Sequence, residues 1–345
     1  MRRYSKHTDE EDVRVRPNRR GSRPRTHTRP KHEDAVEGFV LTVDRGRITC
    51  YVQGRTVTAM KARELGRKGV AVGDRVAVVG DLSGARDTLA RIVRVEERTS
   101  VLRRTADDND PYERVIVANA DQLAVVTALA DPEPRPRLVD RCLVAAFDGG
   151  LQAMLVLTKA DLAPAEPLWE TYAPLGLEHV VVGQEGYTNG SAVRRLRALF
   201  TGRTTVLVGH SGVGKTTLVN ALVPERQRTT GDVNAVTGRG RHTTTSALAL
   251  PLPAERDTDE AEPGAHGWVI DTPGVRSFGL HHVDPARVLH AFPDLEPGTA
   301  ECPRACSHDE PGCALDDWVA AGHADPARLI SLRRLLATRL RREGD

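Results

Sequence analysis

The order of apolar and polar positions changes character along the chain. Between Val36 and Arg98, short alternations such as "FVLTV", "ITCYV" and "RVAVV" are separated by glycine turns, and no long helical period intervenes. A period of two broken by tight turns predicts a small five-stranded barrel of the OB type. From about Val115, apolar runs alternate with helical stretches. "VIVANADQLAVVTAL" opens this part, "RLVDRCLVAAFDGG" reads as a helix closed by glycine, and "LQAMLVLTKADL" reads as a buried strand ending in a polar loop. "LEHVVVG" and "RTTVLVGHSG" supply further strands, with "SAVRRLRALF" a helix between them. This βα alternation predicts a parallel sheet whose ligand loops gather at the carboxyl ends of its strands. The acidic, Pro/Gly-rich "PLPAERDTDEAEPGAHG" interrupts it as the tip of a hairpin. Past His290 the pattern is helical and finishes in "DPARLISLRRLLATRLRRE", whose leucines recur at helical spacing beside arginines, as in a packed and solvated helix.

At 345 residues the chain is long enough for two or three cores. It has no apolar run of membrane-spanning length and a charged, not signal-like, N-terminus, so a cytoplasmic protein without membrane contact is expected, as a monomer. The net charge of +2 is unevenly spread: residues 1–34 hold 11 Lys/Arg against 6 Asp/Glu, which leaves −3 for the remainder. That tail interleaves Arg with Pro, Gly and Ser and has little to bury, so it is expected to be a disordered arm that seeks polyanions. The barrel is expected to contact RNA through the backbone, because Phe39 and Tyr51 are its only aromatic residues. Five cysteines, three of them between Cys302 and Cys313, suit a metal in a reducing compartment better than a disulfide framework.

"GHSGVGKT" satisfies G-x-x-x-x-G-K-[ST], between a β-rich run and a helix-forming one. Gly209, His210, Ser211, Gly212, Val213 and Gly214 would curl the backbone so that its N–H groups meet phosphate oxygens; Lys215 would reach the β- and γ-phosphates, Thr216 would bind Mg²⁺, and Thr217, next after the motif, is a further GTP-binding candidate. In "WVIDTPGV", Asp271 ends a strand where a carboxylate can hold Mg²⁺ through water, and Gly274 can offer its N–H to a γ-phosphate. Between these motifs lies "GRGRHTTT", a hydroxyl-rich switch candidate in which Thr244 would complete the Mg²⁺ shell. In Thr158, Lys159, Ala160 and Asp161, the carboxylate can accept both the N1 and N2 donors of guanine while Lys159 packs along the base. That pattern favours GTP over ATP. Here the base loop precedes the phosphate loop. A parallel sheet is set by which strands are neighbours, so circular permutation reverses the order of the motifs without moving them in space.

Taken in order, "TKAD", "GHSGVGKT", "GRGRHTTT", "DTPGVRSFGL" and "CPRACSHDEPGC", preceded by a barrel ending in "RTSVLRR", resemble the RsgA/YjeQ family of circularly permuted GTPases over nearly the whole chain. The resemblance implies an α/β fold: a circularly permuted P-loop GTPase domain with an N-terminal OB-type barrel and a C-terminal helical zinc domain. It also implies GTP hydrolysis to GDP and phosphate, stimulated by the small ribosomal subunit and its 16S rRNA late in subunit maturation. The expected boundaries are a tail over 1–34, a barrel over 35–105, a GTPase domain over 106–290 and a zinc domain over 291–345. Two departures stand out: Thr158 occupies a position that is usually Asn, shortening the reach to guanine N7, and "VVGQEGYTNG" lacks the family's second base contact.

Cys302, Cys306, His308 and Cys313 form C-x₃-C-x-H-x₄-C, a donor set for one closed, structural Zn²⁺. The resemblance implies zinc too, with spacings one residue tighter here at two places. The position after DTPG that commonly aligns the hydrolytic water is Val275, which has no polar group to do so. His242 is the nearest polar candidate and the one the resemblance favours.

Overall fold

The computed structural model describes residues 32–44, 46–66, 69–104, 114–188, 190–224, 247–253, 263–274, 280, 283–304 and 306–340. The barrel is built from β1 (Val36–Asp44), β2 (Arg47–Val52), β3 (Arg55–Lys61), β4 (Arg75–Gly80) and β5 (Ala90–Val95). Alternate residues face inward, so Val40, Cys50, Val57, Val76, Val78 and Ile92 are fully buried in a core of their own. β1 pairs antiparallel with both β2 and β4, and β3 runs parallel to β5. The order β1-β2-β3-β5-β4 therefore closes on itself, which is the expected OB arrangement. Gly38 sits where β1 is crossed most closely: a Cβ there would lie 2.9 Å from the Val52 side chain.

Residues 115–129 read as one apolar run, but they form two strands with different partners. β7 (Arg114–Ala118) pairs with β6 (Val101–Arg104), whereas β8 (Gln122–Ala128) enters the parallel sheet. Asn119, with φ of 54°, makes the break, and its side chain is held by Thr99 and Gly73. The parallel sheet runs β10 (Glu178–Val182), β9 (Gln152–Thr158), β8, β11 (Arg203–Val208) and β13 (Gly267–Asp271), with β12 (Leu248–Pro251) antiparallel at its end. The β12/β13 pair forms the base of the predicted acidic hairpin, whose tip lies outside the described residues. Thr42 of β1 pairs with Leu248, so the barrel continues the sheet. The chain enters at β8, builds outward through β9 and β10, then returns to place β11 on the other side of β8. This is the permutation that the motif order implied.

One face of the sheet carries α4 (Ser191–Phe200) and α5 (Lys215–Leu222) over Leu196, Phe200, Leu218 and Leu222. The other carries α1 (Pro136–Asp148), together with α6 (Pro285–Leu289), α7 (Ala314–Ala320) and α8 (Pro326–Leu340). Short α2 (Glu166–Tyr172) and α3 (Gln184–Thr188) follow β9 and β10. Leu143 of α1 and Leu315, Leu332 and Leu335 near the C-terminus belong to one continuous buried cluster. Among the described residues no helix is long and apolar enough to cross a membrane.

Candidate nucleotide site and metal centre

The strand register aligns four loops at one edge of the sheet. Thr158, at the end of β9, lies opposite Ala128 and Val182, and Asp271, at the end of β13, lies opposite Leu207. The phosphate loop leaves β11 two residues beyond Leu207. Gly209 can have no side chain there, because a Cβ would run into the Val126 carbonyl. Gly212 and Gly214 take φ of 85° and 88°, which lets the loop curl before α5 begins. His210 Nδ1 lies 2.8 Å from the Ser211 carbonyl oxygen, and Thr216 and Thr217 are exposed at the helix start.

Lys215 is 9% exposed and Asp271 1%, and their 2.8 Å ion pair joins the phosphate loop to the DTPG motif. Lys215 Nζ also donates to the Thr272 carbonyl, and the Thr272 hydroxyl donates to Leu207 at 2.8 Å. Buried charges in such a position are stable only when each has a partner. Gly274 packs on Ser211, where an added Cβ would lie 3.4 Å from the Ser211 nitrogen. The two phosphate motifs therefore lie side by side.

In the base loop, the buried Thr158 hydroxyl is 2.6 Å from the Val213 carbonyl and 3.2 Å from that of Thr127. It thereby fastens this loop to the phosphate loop. Lys159, at φ of 59°, donates to the Asp131 carbonyl, and Ala160 N–H donates to Val182 at 3.3 Å. Asp161 is exposed, and its Oδ1 accepts the Gln184 N–H at 3.0 Å. A Cβ at Gly183 would lie 3.3 Å from the Asp161 nitrogen, so the loop after β10 is pressed against the base loop. Gly183 and Gln184 went unassigned on the sequence because this contact uses a backbone N–H, which any residue could supply. His242, Thr244 and Val275 lie outside the described residues.

The metal cluster comes together as expected. One ligand atom from each of Cys302, Cys306, His308 and Cys313 lies within 4.8 Å of the others. Cys302 Sγ is 3.8 Å from Cys313 Sγ and 3.7 Å from His308 Nδ1. A tetrahedron with metal–sulfur bonds of about 2.3 Å has edges of about 3.8 Å, so the donor set fits a small tetrahedral cation. Burial holds His308 below its ordinary value, favouring the neutral imidazole that ligates metal, and burial with the neighbouring thiols pushes Cys313 up to about 11. A cation offsets that cost by stabilising the thiolates. Arg333 supports the loop from α8: it donates to the His308 carbonyl at 2.7 Å and forks onto Asp316 at 2.9 Å through both Nη atoms.

Comparison with known proteins decides the family. The model for the RsgA GTPase family matches residues 95–281. The chain belongs to the RsgA GTPase family. It is thus a GTP-hydrolysing enzyme. The small ribosomal subunit biogenesis GTPase RsgA of Gemmatimonas aurantiaca is 37% identical over 298 residues, covering 86% of this chain and 92% of that protein. Its namesake in Chlorobaculum parvum is 36% identical over 307 residues, covering 86% and 93%. Among solved structures, YjeQ from Thermotoga maritima superposes with a TM-score of 0.62 at 23% identity, over 90% of this chain and all of that one. YloQ, described as a circularly permuted GTPase, gives 0.59 at 22% identity, over 92% and 99%. The structural matches agree with the fold described above, including its permuted strand order.

Proposed function

We propose that the chain is a late-stage assembly factor of the small ribosomal subunit, which binds 16S rRNA and hydrolyses GTP in response to the subunit. The observation that carries this reading is the convergence of TKAD, the phosphate loop and DTPG at one sheet edge, joined by the Lys215–Asp271 and Thr158–Val213 contacts. Asp161 would select guanine, with the Gln184 N–H orienting its carboxylate. Lys215 would neutralise the β- and γ-phosphates, with Thr216, Asp271 and Thr244 around a Mg²⁺ ion that screens phosphate charge during transfer. His242 would align the attacking water. The relatives' names, together with an arginine-rich tail and an OB-type barrel, support ribosomal RNA as the partner. The metal centre would hold one structural Zn²⁺, and the protein would act in the cytoplasm as a monomer.

The deciding experiment is the GTPase rate with and without purified small subunits, for the native chain and for His242→Ala. A large stimulation lost in the variant supports the reading; an unstimulated rate overturns it. Asp161→Asn should move preference from guanine towards xanthine nucleotides, and unchanged GTP affinity would remove Asp161 from its role. Association with the subunit should be tighter with a non-hydrolysable GTP analogue than with GDP by roughly 1 to 3 kcal/mol, a difference that Lys215→Ala should erase.

A further inference from the structure

The joint between barrel and parallel sheet contains a cleft of about 300 Å³, at the edge of the sheet opposite the phosphate loop. Phe39, Arg75, Asp121, Arg203, Thr204 and Trp268 line it. The cleft is lined by one aromatic residue of the barrel, Phe39, and one of β13, Trp268. Phe39 stacks on Trp268 with ring centroids 4.6 Å apart, and Tyr51 meets the same indole edge-on at 5.9 Å. Gly264 lies so close to the indole that a Cβ would strike it, and the Gly202 N–H holds the adjoining turn through the His266 carbonyl at 2.9 Å. The wall is therefore a constrained part of the fold.

Its charged groups are also oriented. Arg203 Nη1 donates to the side-chain oxygens of Gln122 at 3.1 Å and Gln152 at 2.6 Å, leaving Nε and Nη2 outside these bonds. Asp121 Oδ2 accepts the Thr204 N–H at 2.6 Å, leaving Oδ1 outside that bond. Arg75 and Arg203 are exposed and can fork onto phosphate oxygens. A carboxylate beside them accepts from the amino group of a base, and aromatic side chains contact bases of any sequence. The volume is at the low end for ligand pockets and suits one nucleotide, not a duplex.

We propose that this cleft binds a single unstacked nucleotide of RNA, a placement that rests on the RNA-binding role proposed above. A free mononucleotide has the same chemistry, so the test includes both sources. Full-length protein is saturated with GDP to occupy the guanine site and titrated with a labelled oligoadenylate hexamer, following anisotropy. The double variant Arg75→Ala/Arg203→Ala should weaken binding by about tenfold while keeping its GTPase rate, whereas Arg47→Ala/Arg91→Ala, which removes the same charge elsewhere on the barrel, should change it by less than about twofold. Equal losses in both double variants, or binding within about twofold of native in the first, overturn the cleft as the site. If the native chain binds no hexamer at all, the broader RNA-binding reading fails with it. Competition by AMP for the hexamer supports a cleft open to free mononucleotides, and no competition supports a strand-held nucleotide. Independently of any variant, photocrosslinking native protein to a 4-thiouridine oligonucleotide should label peptides spanning 200–204 or 263–268, and label confined to other peptides overturns the proposal.

Discussion

The barrel and the C-terminal segment are both appended to the same parallel sheet, yet they are stabilised in different ways. The barrel encloses its own core, with Val40, Val57, Val78 and Ile92 in one cluster of barrel residues, and β1 closes it by pairing with both β2 and β4. The C-terminal segment has helices α6 to α8 and a Cys/His cluster able to hold a metal, and its leucines join the cluster that also holds α1 and β8. Arg334 of α8 approaches the buried Asp140 of α1 at 3.3 Å and stacks over Tyr172, while Arg328 ties Asp294 to the Pro174 carbonyl. A closed barrel can lose stability locally. A segment that shares its core must pass a disturbance to α1, whose preceding loop contains Asp131, the partner of Lys159.

The strongest attempt to break this contrast is disruption of the candidate metal cluster. Because metal binding is folding energy in small clusters of this kind, Cys302→Ser should lower stability by at least about 4 kcal/mol. Hydrogen exchange should then rise in α1 and α8 together while β1 to β5 keep their protection; loss of protection in the barrel as well would end the distinction.

A matched pair of cavities sharpens it. Leu332→Ala and Ile92→Ala each remove a fully buried aliphatic side chain and should each cost about 2 to 5 kcal/mol. Leu332→Ala should also weaken GDP binding measured by calorimetry, and Ile92→Ala should not. Equal effects on GDP would show that the barrel is coupled to the nucleotide loops as tightly as the C-terminus is.

The Asp140–Arg334 contact gives a pH signature. Burial raises the Asp140 carboxyl to about 6, outweighing the Arg334 charge and the Tyr172 hydroxyl that act in the other direction. A carboxyl with a folded value above its unfolded value near 4 contributes stability that is complete below about pH 4 and lost as pH rises through about 6, by about 3 kcal/mol. Asp140→Asn should remove that component. Denaturant unfolding of both chains from pH 4 to 7 measures it as a difference, so metal loss common to the two cancels. Parallel curves would mean that this carboxylate titrates normally.

The smallest expected effect is at Arg333. Its fork onto Asp316 is partly exposed, so Arg333→Gln should cost about 1 kcal/mol in stability. Since the same side chain holds the His308 carbonyl, a chelator should strip the metal about tenfold faster from the variant. An unchanged stripping rate would confine Arg333 to packing.

Local pattern was enough to read the barrel, the βα alternation, the phosphate-loop and DTPG motifs and the Cys/His cluster, because each depends on spacing within a short stretch. Glycines at 209, 212 and 214 and a lysine at 215 state their chemistry wherever the strand before them goes. The permuted order was legible for the same reason, since the motifs retain their character when the chain is opened elsewhere. Other features depended on contacts distant in sequence. The division of residues 115–129 into two strands required the pairing of β7 with β6, since both halves are equally apolar. The Gln184 contact to Asp161 came from the main chain, which leaves no side-chain signature. Phe39 and Tyr51 looked like a thin platform until Trp268, more than 200 positions away, joined them across the joint. Sequence by itself determined the chemistry of each loop and the period of each element. Only the tertiary structure decided which loops meet, which charges share a partner and which cores merge, because those depend on distances in space between residues far apart along the chain.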